Sequence, residues 1–149
     1  MIPNQISNWI ENQERATQAN EWFEKLNPAN GQVLCRVVRS RREDVLQAVE
    51  VAKRVQPAWA DTPAVQRGMI LHKIVVGMQN RQSEIAAIVA AETGKSMKEA
   101  SGETGGAIQC GLFYASEGQR LYGRKTTRGS ANKYAMTISQ PIGVEGLII

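Results

Sequence analysis

Hydrophobic and polar positions along the chain follow two different periods. Between about residue 33 and residue 37 they alternate: Val33, Cys35 and Val37 fall on one side, Leu34 and Arg36 on the other, as in a short strand. That alternation makes Cys35 a small, half-buried apolar residue. Before it, Asn27-Pro28-Ala29-Asn30-Gly31 predicts a turn, because Pro fixes φ while Asn and Gly tolerate positive φ. The first stretch, to about Glu24, is polar with scattered Trp9, Trp22 and Phe23, and predicts a short helix and a strand lying over a larger body.

From Ser40 the period becomes helical. Ser40 and Glu43 have capping-box spacing, and Val45, Val49, Ala52 and Val55 form a stripe behind them, with Pro57 near the helix end. Thr62 followed by Pro63 predicts the start of a second helix, since Pro loses nothing at a position whose N–H has no partner. Its stripe is Leu71, Ile74, Val75 and Met78. A third helix runs from about Arg81 to Thr93 on Ile85, Ile88 and Val89, and Gly94 is a natural left-handed stop. Ser96 and Glu99 give a second capping box. The fourth helix has a buried side of Ala100, Thr104, Ala107, Ile108, Leu112 and Ala115. It also carries Gly102, Gly105, Gly106 and Gly111, each costing about 1 kcal/mol against alanine. The expected offset is close approach of another backbone.

After Gly123 the alternation returns. Lys125–Arg128 and Tyr134–Gln140 predict two strands around Gly129-Ser130, with Tyr134, Met136 and Ile138 on one apolar face. A lone two-stranded ribbon is marginal in water, so this arm is expected to lie against something else. The final Ile142–Ile149 predicts a buried strand of a parallel sheet, in which the chain stops. Such an edge invites association, which suggests a truncated domain.

Composition changes this picture little. A chain of 149 residues with net charge +4 and pI near 9.3 suits a globular domain, and the surplus is too mild to argue for nucleic acid or membrane. The one dense basic group, Arg36, Arg39, Arg41 and Arg42, has no interleaved aromatics and so offers no stacking platform. The N-terminus has no basic n-region or apolar h-region, and no apolar run is long enough to cross a bilayer. Two distant cysteines make neither a disulfide framework nor a metal spacing, which fits a reduced, cytoplasmic setting.

Candidate chemistry fails residue by residue. Thr93-Gly94-Lys95-Ser96 looks like the end of a phosphate loop, but position 89 is Val89 rather than Gly and a helix precedes it. The glycines at 102, 105 and 106 lack the dinucleotide spacing and a preceding strand. His72, the only histidine, falls inside a helix, where packing or surface roles are expected. Cys110 sits among small residues, which predicts packing, and neither cysteine has a histidine nearby in sequence. No residue emerges as catalytic.

Four stretches together resemble the aldehyde dehydrogenase superfamily. They are Asn27-Pro28-Ala29-Asn30-Gly31-Gln32-Val33; Asp44-Val45 through Ala48, Ala52 and Trp59, with Arg67 and Leu71; Glu92-Thr93-Gly94-Lys95-Ser96 with Glu99-Ala100 and Glu103; and Gln140-Pro141-Ile142-Gly143-Val144. Residues 1–26 match only loosely. Glu117–Gly123 and the 140–144 stretch look most like the succinate-semialdehyde dehydrogenase type.

The resemblance implies an α/β fold: residues 1–122 as the helical N-terminal part of a Rossmann-like cofactor domain, 123–141 as a two-stranded β oligomerisation arm, and 142–149 as the first, incomplete sheet strand. It implies NAD or NADP as cofactor, an aldehyde substrate, and a homo-oligomer assembled through residues 123–141, with no nucleic acid or membrane partner. Family members attack the aldehyde with a cysteine and activate water with a glutamate; both lie beyond Ile149. Only Ile148 and Ile149 fall where the family's cofactor pocket begins, as apolar contacts. Positions Lys25, Leu26 and Glu92 match a monovalent-cation site of some members, but the Lys25 charge argues against a metal here. A competing expectation is a non-catalytic module that binds a full-length homologue through the arm.

Overall fold

The computed structural model describes residues 2–17, 19–127 and 129–148. Five short strands come first: β1 (Gln5–Ile6), β2 (Asn8–Ile10), β3 (Gln13–Arg15), β4 (Trp22–Leu26) and β5 (Val33–Val38). The expected N-terminal helix is therefore a hairpin instead. β2 and β3 pair antiparallel across Glu11 and Asn12, both at φ 58°. A two-residue hairpin turn needs positive φ at both positions, which Asn tolerates and Glu resists. Glu11 is held there by ion pairs to Arg15 at 3.4 Å and to Arg54.

β5 sits centrally, parallel to β1 and antiparallel to β4. The predicted turn joins β4 to β5. Asn27 Oδ1 accepts the Ala29 N–H at 2.9 Å, the Gly31 N–H reaches the Asn27 carbonyl at 2.7 Å, and Gly31 has φ 73°. Cys35 faces inward with Val38 and is fully buried rather than half-buried. The four arginines at 36, 39, 41 and 42 are all exposed at the end of this sheet and the start of the helix that follows.

Four helices follow: α1 (Arg42–Asp61), α2 (Ala64–Asn80), α3 (Gln82–Thr93) and α4 (Met97–Ala115), then a single 3-10 turn at Glu117–Gln119. The cap of α1 lies one residue later than expected. The Arg41 N–H donates to Asp44 Oδ2 at 2.8 Å, while the Ser40 hydroxyl turns away to Asn8 Oδ1 at 2.8 Å. Thr62 ends α1 rather than opening α2, its hydroxyl donating to the Ala58 carbonyl at 3.0 Å; Pro63 takes the cap position of α2. Arg67 donates to the carbonyls of Ala60 and Thr62, which pins α2 to the end of α1.

α4 packs against both α2 and α3. Val75 is 1% exposed; burying a valine stabilises by roughly 1.5–3 kcal/mol. Ala86, Ala100 and Ile108 are buried with it, and buried Thr104 satisfies its hydroxyl on the Ala100 carbonyl at 2.8 Å. Ala107 and Ile74, expected inside, are exposed. α1 has no buried residue at all, so its stripe is only half covered.

The glycines of α4 do not meet another backbone. A Cβ at Gly111 would meet Val75 Cγ2 at 2.5 Å, one at Gly105 only the Gln82 side chain, and at Gly102 and Gly106 there is open space. Backbone approach occurs instead at Gly68 of α2, where an added Cβ would come within 2.3 Å of the Ala115 carbonyl oxygen.

The ribbon is shorter than expected: β6 (Lys125–Thr126) pairs antiparallel with β7 (Ala135–Met136). The Thr137 N–H to the Arg124 carbonyl, 2.9 Å, extends it by one step. Ile142–Ile148 do not form the expected buried strand. They carry no ladder among the described residues and are exposed, because a parallel strand needs neighbours that these residues do not supply.

Candidate functional site

Two of the stretches singled out in the sequence meet in space. Gly94 ends α3 at φ 74°, and a Cβ added there would come within 2.9 Å of Pro28 Cγ and 3.3 Å of the Ala29 nitrogen. The Asn27 turn thus seats directly on the corner between α3 and α4. Beyond the corner, Ser96 caps α4: its hydroxyl oxygen accepts the Glu99 N–H at 3.2 Å, and its own N–H donates to Glu99 Oε2 at 3.1 Å. Bonds from Ser96 to the Glu99 carboxylate, the hydroxyl's first and the backbone's second, hold that carboxyl below its ordinary range. Lys95 is tied to Glu103 at 2.5 Å, so it serves the corner and is half-buried there. The whole assembly is structural: it positions helices and leaves no free acid–base pair.

The titratable residues that could act on a substrate stay apart. Cys35 is buried inside β5, whereas Cys110 is exposed on α4, contrary to the packing role expected for it. The buried stripe of α4 runs through Thr104 and Ile108, and a helix turns about 200° in the two residues from 108 to 110. His72 is exposed on α2. Among the described residues no group of three or more His, Cys, Asp or Glu side chains could hold a metal ion.

Open apolar grooves remain. One, about 450 Å³, lies between α2 and the end of α4, lined by Trp59, Arg67, Ile70, Ile74, Tyr114 and Leu121. Another, about 390 Å³, lies between β2 and α1, with Val144 and Glu145 on its rim. Ile148 lines neither and is 100% exposed; Ile149 lies outside the described residues. Sequence reasoning missed the Arg67 clamp and the Gly68 contact. Both depend on which carbonyls end up facing α2, and no local pattern reports that.

These features define one class: a helical flank of a mixed α/β domain, with an appended ribbon and an unpaired apolar segment. Residues 14–149 match the profile of the aldehyde dehydrogenase family. Malonate-semialdehyde dehydrogenase 1 of Geobacillus kaustophilus is 34% identical over 93% of this chain and 28% of its own length. The succinate-semialdehyde dehydrogenase [NADP(+)] of Escherichia coli K12 is 34% identical over 86% of this chain and 27% of its own. Among solved structures, succinate-semialdehyde dehydrogenase from Burkholderia pseudomallei superposes with a TM-score of 0.88 at 28% identity, covering 93% of this chain and 29% of that one. The chain belongs to the aldehyde dehydrogenase family, and it spans less than a third of the length of the relatives it matches. Its mixed α/β architecture is that of the corresponding portion of those enzymes.

Neither of the two grooves described above forms a pocket for the family's dinucleotide at Ile148. Ile148 lines neither of them, and the turn from β5 into α1, Arg39-Ser40-Arg41, lacks the glycines of a dinucleotide-binding turn.

Proposed function

We propose that this chain is a segment of an NAD(P)-dependent aldehyde dehydrogenase that oxidises an aldehyde to a carboxylic acid. The observation that supports this best is the match of the family profile over residues 14–149, joined by the physical meeting of the Asn27 turn with Gly94. The substrate class we favour is a semialdehyde, because relatives at 34% identity bear malonate- and succinate-semialdehyde names. Residues 1–122 serve as the helical flank of the cofactor domain, 123–141 as the homo-oligomerisation arm, and 142–149 as its first sheet strand. In this reading Ile148 and Ile149 make apolar contact with the cofactor once neighbouring strands order them. The enzyme acts in the cytoplasm.

The nucleophile and the water-activating glutamate are not among these residues. Neither Cys35, which is buried, nor Cys110, which has no partner base among the described residues, is placed for attack on a carbonyl. By itself the 149-residue chain therefore turns over no aldehyde. Titrating it with NADH or NADPH is expected to give no saturable fluorescence change. Saturation at micromolar cofactor would show that the pocket is complete after all.

The exposed ribbon also supports a second reading, a non-catalytic module that binds a full-length homologue through residues 123–141. Co-purification of an untagged homologue with the chain, lost on deletion of the ribbon, is the result that reading requires.

A further inference from the structure

Asparagine followed by glycine is the dipeptide most open to self-modification, because glycine has no side chain to keep its nitrogen away from the preceding carboxamide. Of the eight asparagines in this chain only Asn30 precedes a glycine, so it is the position to inspect. Asn30 and Gly31 are both exposed, and water and hydroxide reach them. They close the turn that seats on the corner between α3 and α4.

The atoms that would react are already engaged. The Gly31 N–H, whose nitrogen is the nucleophile, donates to the Asn27 carbonyl at 2.7 Å. Asn30 Oδ1 sits on the carbon to be attacked and accepts the Gln32 N–H at 3.0 Å, while Asn30 Nδ2 donates to Gln32 Oε1 at 3.3 Å. The bond to Oδ1 draws electrons from Cγ and readies it for attack. The bond to Asn27 works the other way, because it holds the proton that a base must remove. That second bond decides the rate, since only the deprotonated nitrogen attacks. Its acceptor is positioned by the next residue: a Cβ added at Gly94 would come within 2.9 Å of Pro28 Cγ, so the Pro28 ring lies hard against the corner.

We propose that Asn30 is a deamidation site, shielded while the turn sits on the Gly94 corner and reactive when the turn lifts. A base takes the Gly31 amide proton, the nitrogen bonds to Asn30 Cγ, and Nδ2 leaves as ammonia with a proton from water. Water then opens the five-membered succinimide at one of its two carbonyls, giving aspartate or isoaspartate. Either product adds a carboxylate to the turn. Isoaspartate also adds one carbon to the backbone between residues 30 and 31. The lengthened turn no longer matches the closure in which the Asn27 N–H meets the Gln32 carbonyl at 2.8 Å. Reaction is therefore a permanent mark of the turn having opened.

Peptide mass mapping of the polypeptide as its own cells make it, aged at mildly alkaline pH, follows the change from amide to carboxyl at Asn30, with the two isomers separated by chromatography. The same polypeptide in guanidinium chloride gives the unshielded rate. The expected result is that Asn30 reacts first among the asparagines in denaturant, and about tenfold or more slowly in the folded state. Gly94→Ala crowds Pro28, and Asn27→Ala frees the Ala29 N–H from the Asn27 side chain. Each loosens the seat by a different route and is expected to speed the folded-state reaction about threefold or more while circular dichroism stays that of the parent. Asn27→Ala leaves the helices untouched and keeps the test open where Gly94→Ala fails to fold. Asn30→Gln is expected to abolish the signal. Equal rates in the folded and denatured states would mean that the turn shields nothing. Folded variants that react as slowly as the parent would remove the corner from control, and an earlier reaction at another asparagine in denaturant would overturn the site itself.

Discussion

The helical body and the ribbon are built from similar residue types and reach opposite outcomes. In the body, α2 and α4 close to the point where Gly68 has no room for a side chain, and Val75 disappears between them. In the ribbon, Tyr134, Met136 and Ile138 are as apolar as anything in the body and remain in solvent. The difference is one of partners. A helix satisfies its own backbone and needs one neighbour for its stripe, which the chain supplies within fifty residues. A two-residue ladder satisfies almost nothing, and among the described residues its apolar face has no layer beneath it. The stretch 142–148 repeats the lesson: an apolar strand sequence does not become a strand without a sheet to join.

Substitutions can break this contrast, and the largest effect belongs to the body. Gly68→Leu drives a side chain into the Ala115 carbonyl and is expected to cost about 3 kcal/mol, read as a fall in the urea midpoint. Val75→Ala leaves a cavity between α2 and α4 and is expected to cost about 2 kcal/mol by the same measurement. Gly77, on the same helix as Gly68, faces open space, so Gly77→Ala should raise stability by about 1 kcal/mol. A loss at Gly77 would mean that another element covers that side of α2.

Ser96→Ala removes the α4 cap and is expected to cost about 1 kcal/mol. The cap also sets a pH dependence. Glu99, bonded to Ser96, and Glu84, bonded chiefly to Arg81, both have carboxyl pKa values below the ordinary 4.5. The folded state therefore binds fewer protons than the unfolded one in the acid range. Their contribution is complete above about pH 4.5 and is lost as acid protonates the folded carboxylates. A urea series from pH 3 to pH 6 should show that rise, and Ser96→Ala should remove part of it. A flat profile would mean the cap bonds do not form in solution.

The smallest effect on stability is expected in the ribbon. Met136→Ser should shift the urea midpoint by no more than about 0.5 kcal/mol while weakening assembly. Hydrogen exchange sharpens the same contrast: amides of 97–115 should be protected in the chain alone and those of 120–148 should not.

What was legible in the sequence was local. The Ser96–Glu99 cap, the Gly94 stop and the Asn27 turn are each written in a few adjacent residues, and each stands where expected. The α1 cap slipped by one because Glu43 and Asp44 are adjacent, and because Ser40 is drawn to Asn8, thirty-two residues away. The β2–β3 hairpin was unreadable because its turn puts a glutamate at positive φ, which only the arginines at 15 and 54 explain. Cys110 was misplaced because small neighbours suggested packing, while the phase of the buried stripe pointed it outward. Of the candidate site, only the family resemblance was legible, and the family match over residues 14–149 bears it out.

The most direct test is the intact mass and activity of the polypeptide that carries this sequence, purified from its own cells. The predicted result is a mass well above 16.4 kDa and NAD(P)+-dependent oxidation of a semialdehyde. A product of 16.4 kDa that turns over no aldehyde would contradict the enzyme reading and leave the binding module in its place.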